Sequence, residues 1–124
     1  MSTRCTVHFH YRDNQEPEAI VYRHSDGYPN SQHGVPASLE RFFTDVETQT
    51  KDTRFNDPTY LAAKYVVWQA NEYSGDEMLD FLSVGVMQSD PGDIEYRYHI
   101  WCNSDKPNVT WEKVSPHTST IIAN

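Results

Sequence analysis

The sequence predicts an α+β protein with two layers, an antiparallel sheet covered on one face by two helices, in the order ββααβββ. Apolar and polar residues alternate along several short runs, which is typical of antiparallel strands with one buried face. Two longer segments carry apolar residues at helical spacing instead. A chain of 124 residues can bury one core, so we predict a single domain over residues 1–124.

The first two strands are predicted to form a hairpin. In the segment CTVHFHYR, Cys5, Val7 and Phe9 share one face and His8 and His10 lie on the other. The turn residues DNQEP follow, and EAIVYRHS is a second β-rich run.

Two helices are predicted next. The first contains an apolar stripe made of Leu39, Phe42, Phe43 and Val46, and Pro36 suits its first turn. The second, PTYLAAKYVVWQANEY, follows Asp57 as its N-cap and is apolar almost all round, which predicts a mostly buried helix. Its remaining exposed part is compatible with a homodimer contact.

Three more strands are predicted after the helices. The runs FLSVGVMQS and IEYRYHIWC, joined by the turn DPGD, are predicted to form a second hairpin. The run VTWEKV is a last strand, and the tail over residues 115–124 is expected to be loosely held.

The net charge of −8 is concentrated in one segment. Residues 65–96 contain seven acidic and no basic side chains. Such a charge disfavours direct binding to nucleic acid or an anionic membrane, because both need clustered Lys and Arg. A solvated acidic rim and a surface for a basic partner both fit this pattern. The acidic residues are Glu72, Asp76, Glu77, Asp80, Asp90, Asp93 and Glu95.

Neither a leader segment nor a membrane span is indicated by the sequence, so a cytoplasmic location with reduced thiols is expected. Cys5 and Cys102 alternate with inward-facing residues and are expected to be small core side chains. No nucleophile motif and no phosphate-binding glycine loop occurs, so we assign no catalytic residue and expect no cofactor.

The histidines allow a metal site as an alternative. His8 and His10 share a strand face, and His99 or Glu95 could join them if the first and fourth strands are neighbours. An H-x-H pair on a strand suits zinc or iron. A solvated strand face has the same pattern and is the favoured interpretation, so no metal ligand is assigned.

The segment YRHSDGYP holds the candidate binding residues Arg23, His24, Asp26 and Tyr28. It can be a structural bend, in which Asp26 caps the turn and Gly27 takes a positive φ. Alternatively, it can form the polar rim of a ligand pocket at the end of a strand.

YRHSDGYP and the later GDIEYRYHI together resemble a family of small, mostly uncharacterised proteins of bacteria, prophages and phages. The family pattern is Y-[KR]-H-x-D-G-Y-P followed by G-D-[IL]-E-Y-x-Y, and the similarity covers roughly residues 3–102. The chain departs from the pattern at NSQHG, after the first motif. The resemblance implies a phage or prophage setting but brings no established activity.

We therefore predict a non-enzymatic protein that binds and inhibits a host protein, of the anti-CRISPR or another anti-defence type. Its contact with a basic surface of that partner is assigned to Glu72, Asp76, Glu77 and Asp80. The alternative is a small-ligand-binding protein or metal-dependent enzyme that uses the loop of His24, Asp26 and Tyr28.

Overall fold

A computed structural model describes residues 3–74, 79 and 82–114, without the side chains of residues 73 and 74. The chain forms two strands, two helices and three strands. They are β1 (Cys5–Tyr11), β2 (Ala19–Arg23), α1 (Val35–Gln49), α2 (Pro58–Ser74), β3 (Val84–Met87), β4 (Tyr96–Cys102) and β5 (Asn108–Lys113). The predicted tail over residues 115–124 lies outside the described residues. The α+β class with two helices on a sheet is confirmed.

The sheet is mixed, so the prediction of an antiparallel sheet is wrong. Its strand order is β3-β2-β1-β4-β5, and β1 pairs with β4 in parallel while the other pairs are antiparallel. The predicted hairpin of β3 and β4 is also wrong, because β3 pairs with β2 at the far edge of the sheet. The connection after β3 therefore passes β2 and β1 before it reaches β4.

The alternation predicted for β1 is confirmed. Cys5, Val7 and Phe9 are fully buried in the core beneath the helices. Burial of side chains such as Phe9 stabilises a fold by about 1.5–3 kcal/mol each. His8 and His10 point to the opposite face, which neither α1 nor α2 covers; we call it the open face.

The helix α1 packs on the sheet through the predicted stripe. Leu39, Phe42, Phe43 and Val46 are all buried, and Pro36 lies in the first turn. Phe42 and Phe43 also contact aromatic rings on other parts of the core. The spacing of apolar residues therefore decides which face of α1 is buried against the sheet.

The helix α2 is less buried than predicted. Leu61 and Tyr65 are completely buried, but Tyr60 and Val67 are 53% and 64% exposed. A helix that lies on one face of a two-layer fold has only one side to bury, so its remaining apolar residues face solvent. Asp57 is the predicted N-cap, since its Oδ1 accepts a bond from the Tyr60 amide at 3.3 Å.

The two cysteines are free and buried, as predicted. Burial raises the pKa of the Cys5 and Cys102 thiols to about 12. Neither thiol can therefore act as a thiolate near neutral pH. None of the described helices is long and apolar enough to cross a membrane.

Candidate metal centre on the open face

Three histidines meet on the open face because β1 and β4 are parallel neighbours. The register places His8 of β1 opposite His99 of β4, and His10 follows two residues later on the same face. One ring nitrogen from each histidine lies within 4.8 Å of those of the other two. His99, rather than Glu95, completes the group that the sequence allowed as an alternative.

These rings do not form the solvated strand face that the sequence favoured. His8 is 8% exposed and His10 is 1% exposed. The indole of Trp101 stacks on His10, with the ring centroids 4.1 Å apart, and lies 5.6 Å from the centroid of His99. Trp101 of β4 and Asp90 of the connection after β3 therefore lie against these rings on the face that α1 and α2 leave uncovered.

Each histidine ring has an oxygen acceptor beside one of its two nitrogens. His8 Nε2 is 2.8 Å from Asp90 Oδ1, and His99 Nε2 is 2.9 Å from Glu112 Oε2. His10 Nδ1 is 3.0 Å from the carbonyl oxygen of Asn14. Histidines that bind a metal usually donate their second N–H to a carboxylate or carbonyl in this way, which fixes the orientation of the ring.

The two carboxylates are held in the ionised form. Partial burial works against ionisation of Asp90, but bonds from Thr6, His8 and Arg97 outweigh it and lower the pKa of this carboxyl. The hydrogen bond from His99 lowers the pKa of Glu112. Ionised carboxylates only accept hydrogen bonds, so the hydrogen in each contact belongs to the histidine.

Arg97 fixes both carboxylates in place. Its Nε donates to Asp90 Oδ2 at 2.6 Å, and its Nη1 lies 3.1 Å from Glu112 Oε1. Asp90 is further held by the hydroxyl of Thr6, which donates to Oδ1 at 2.7 Å. The acceptors of His8 and His99 are thus positioned by contacts of their own.

The hydrogens on the nitrogens that face oxygen acceptors leave two lone pairs facing each other between His10 and His99. The Asn14 carbonyl can only accept, so His10 Nδ1 carries a hydrogen, and His99 Nε2 carries the one that it donates to Glu112. In the neutral rings, His10 Nε2 and His99 Nδ1 therefore both present lone pairs, although these atoms are only 2.8 Å apart. A shared proton or a metal ion between the two nitrogens removes this repulsion.

Burial works against a proton on His8 or His10. Desolvation lowers the pKa of His8 and His10, which keeps both rings neutral near pH 7. Neutral imidazole nitrogens are the form that binds zinc and related ions. The same burial that disfavours an imidazolium thus leaves lone pairs available for coordination.

The spacing of the rings is close to that of a tetrahedral site. With metal–nitrogen bonds of about 2.0–2.1 Å, two ligand nitrogens are about 3.3 Å apart. The facing nitrogens of His10 and His99 would separate by about 0.5 Å, and the third ring would approach by at most about 1.5 Å. Changes of this size require side-chain rotation and no rearrangement of the strands.

The YRHSDGYP loop lies at the end of β2, away from the three histidines in the strand register. His24 is exposed and its Nδ1 lies 3.0 Å from the hydroxyl of Tyr22. Asp26 accepts a bond from the Tyr28 hydroxyl at 3.2 Å. These contacts are made within the segment itself, so the loop residues are brought near one another but not near the three histidines.

Gly27 docks this loop on the sheet. Its carbonyl accepts a bond from the buried Tyr98 hydroxyl at 2.7 Å, and its amide donates to the Thr3 carbonyl. A Cβ at Gly27 would lie 2.7 Å from that carbonyl oxygen and 2.9 Å from Cys5 Cβ. The predicted positive φ at Gly27 is wrong: Asp26 has it instead, with φ 55°, a conformation that Asp tolerates.

The remaining predicted site residues occupy other parts of the molecule. Arg23 is 3% exposed and faces the helices, where its guanidinium donates to Ser38 and Tyr65. Glu72 is exposed on the last turns of α2. The other three acidic candidates, Asp76, Glu77 and Asp80, lie outside the described residues.

The sequence did not identify the residues that orient the histidine rings. Asp90 was noted only as one of the acidic residues, and Glu112 and Arg97 were not assigned to any site. Arg97 and Glu112 fall on the outward face of β4 and β5, as His99 does, so alternation within the predicted strands carried a signal for them. The contact of Asp90 with β1 depends on the path of the connection between β3 and β4, which no pattern in the sequence indicated.

Comparisons of the chain with protein-family models, with curated proteins and with solved structures give no match. The resemblance to a phage and prophage family therefore stays a prediction, and the geometry of the three histidines carries the functional argument.

Proposed function

We propose that this protein binds one divalent transition-metal ion through His8, His10 and His99. The observation that carries the proposal is the set of three imidazoles with ring nitrogens within 4.8 Å of one another, each ring also hydrogen bonded to an oxygen of Asp90, Asn14 or Glu112. Histidines on a solvent-exposed strand face do not require hydrogen bonds that hold their rings in one orientation.

Zinc and its neighbours in the first transition series fit this donor set best. Imidazole nitrogen suits zinc, copper, nickel, cobalt and iron, whereas magnesium and calcium require mostly oxygen ligands. Three neutral nitrogens with ionised carboxylates behind them are typical of zinc in particular. Asp90 and Glu112 would also balance part of the ion's charge without occupying its coordination positions.

A cobalt titration tests the proposal. We expect the protein to bind one Co²⁺ per chain and to develop the intense visible absorption of four-coordinate cobalt, and Zn²⁺ should displace it. His33→Gln is the control, because His33 is an exposed loop histidine. A dissociation constant weaker than about 1 mM, or equal binding by His99→Gln, would contradict the proposal.

We also propose, as a second function, that the acidic segment binds a host protein with a basic surface. In this proposal the protein is a cytoplasmic, phage- or prophage-encoded inhibitor of a host defence system, either as a monomer or as a homodimer. Two observations support a contact here: the charge concentrated in residues 65–96, and the exposure of Leu79 and Val86 within it, at 90% and 77%. Exposed apolar side chains in a segment with an excess of acidic residues suit a protein interface with electrostatic steering.

Neutralisation of the segment tests this second proposal. The combined changes Glu72→Gln, Asp76→Asn, Glu77→Gln and Asp80→Asn should abolish capture of a host protein in a pull-down, and the wild-type affinity should fall as salt is raised. Neutralising the exposed Glu47 and Asp105, which lie outside the segment, should leave capture unchanged. A wild-type affinity that does not vary with salt would argue against the acidic contact.

A further inference from the structure

We infer that the metal centre is hydrolytic and that its substrates are small uncharged or cationic esters that bind in the cleft beside His8 and Asp90. This inference rests on the proposed metal site. Three features carry it: a vacant coordination position, a ligand set without charge, and a cleft of defined chemistry next to the centre.

The coordination position follows from the number of ligands. Among the described residues, the cluster contains only the three histidines. The nearest carboxylates are already engaged, because Asp90 and Glu112 accept bonds from histidine N–H groups and from Arg97. A zinc site with three protein ligands keeps its fourth position for water or substrate, whereas structural sites have four protein ligands.

The charge of the ligands decides how strongly that water is activated. Three neutral imidazoles add no charge of their own, and Asp90 and Glu112 act on the ion only from beyond its coordination positions. A water molecule bound to such an ion has a pKa of about 7, far below that of bulk water. Hydroxide is therefore available near neutral pH without a thiolate or a serine nucleophile, and both cysteines are buried.

A cleft adjoins the centre on the side of β2 and β3. It has a volume of about 510 Å³, which suits a small molecule, and His8 and Asp90 form part of its wall. Ile20 and Met87 supply apolar surface. The acidic residues of the wall are Glu16 and Glu18, besides Asp90. Anionic substrates are disfavoured by this wall, whereas neutral and cationic ones are accepted.

The reaction is a balanced hydrolysis. The hydroxide oxygen forms a bond to the carbonyl carbon of the ester, and the resulting oxyanion returns its electron pair to expel the alcohol oxygen. The carbon–oxygen bond to the leaving group breaks, and the leaving oxygen takes up a proton from water. One water is consumed, one acid and one alcohol are formed, and no oxidant or reductant is required.

The test uses zinc-loaded protein and 4-nitrophenyl acetate, with release of nitrophenol followed by absorbance. We expect a rate at least 100-fold above that of the metal-free protein and above that of the same concentration of free zinc. Removal of zinc by a chelator should abolish the activity, and His10→Gln should lack it. The half-ester of 4-nitrophenol with suberic acid, an anion whose carboxylate is too far along the chain to attack its own ester, should react more slowly than the acetate.

A variant in the wall of the cleft tests the location of the substrate. Glu16→Gln combined with Glu18→Gln should raise the ratio of the rate for the suberate half-ester to the rate for the acetate. If the cobalt titration shows one bound ion but zinc-loaded protein is no faster than metal-free protein, the hydrolytic inference is wrong and the metal site stands. If no ion binds, both proposals fail. Equal rates for the two esters in wild type and variant would contradict the assignment of the cleft.

Discussion

Zinc at 100 times its dissociation constant is expected to raise the melting temperature of the protein by about 10 °C, and His10→Gln should remove most of this rise. An ion that binds only the folded state stabilises it by about 2.7 kcal/mol at this concentration. For a chain of 124 residues, each kcal/mol corresponds to about 3–5 °C. Differential scanning calorimetry with and without zinc measures the difference directly.

His10→Gln is the informative variant because it replaces the imidazole by an uncharged polar side chain of similar length that has no basic nitrogen. The basic ring nitrogen that faces His99 is lost, so zinc affinity should fall by at least about 100-fold. Because His10 is 1% exposed, the variant can also be less stable without metal, and the comparison is therefore between the zinc-induced rises.

His33→Gln serves as the matched control, since it removes an exposed histidine from the loop before α1. It should show the same rise as the wild type. A full rise in His10→Gln would show that zinc stabilises the protein from another position, and the three-histidine site would then be wrong.

Arg23→Ala is expected to lower the free energy of unfolding by about 3–5 kcal/mol. The side chain is 3% exposed, and its Nη1 donates to Ser38 Oγ and to the Tyr65 hydroxyl at 3.1 Å each. Truncation leaves two buried hydroxyl oxygens without this donor and opens a cavity between β2 and the helices. The free energy of unfolding of most domains is only about 5–15 kcal/mol, so urea unfolding should detect the loss easily.

Arg12→Ala is the control for this change, because Arg12 is exposed and its loss should alter stability by less than about 0.5 kcal/mol. The same experiment separates the two interpretations of Arg23. If Arg23→Ala unfolds at the wild-type urea concentration but no longer captures a partner, the residue has a binding role after all. A large loss of stability assigns it to the core instead.

Local patterns in the sequence predicted correctly which face of a single helix or strand is buried. The stripe of Leu39, Phe42 and Phe43 predicted the buried face of α1, and the alternation around Val7 and Phe9 predicted that of β1. In both cases the period of the backbone alone decides which side chains share a face, and burial of the apolar set follows. The bend after β2 was one of two interpretations of the turn residues in YRHSDGYP, and its positive φ belongs to Asp26 and not to Gly27.

Local patterns failed where a partner had to be chosen. The Pro-Gly turn after Met87 suggested a hairpin, yet β3 pairs with β2 and β4 pairs with β1. Turn residues indicate that the chain changes direction but not which strand edge it joins. The exposure of Val67 in α2 has a similar origin, because the number of layers around a helix is a property of the whole fold.

The sequence by itself determined that His8 and His10 share a strand face and that His99 points outward from another strand. Only the tertiary structure decided that these rings meet, since the contact of His10 with His99 joins residues 89 positions apart. It depends on the parallel pairing of β1 with β4 and on the path that brings Asp90 back to β1. The physical reason is that periodicity sets the direction of a side chain, whereas strand pairing, which minimises the free energy of the whole chain, sets its neighbours.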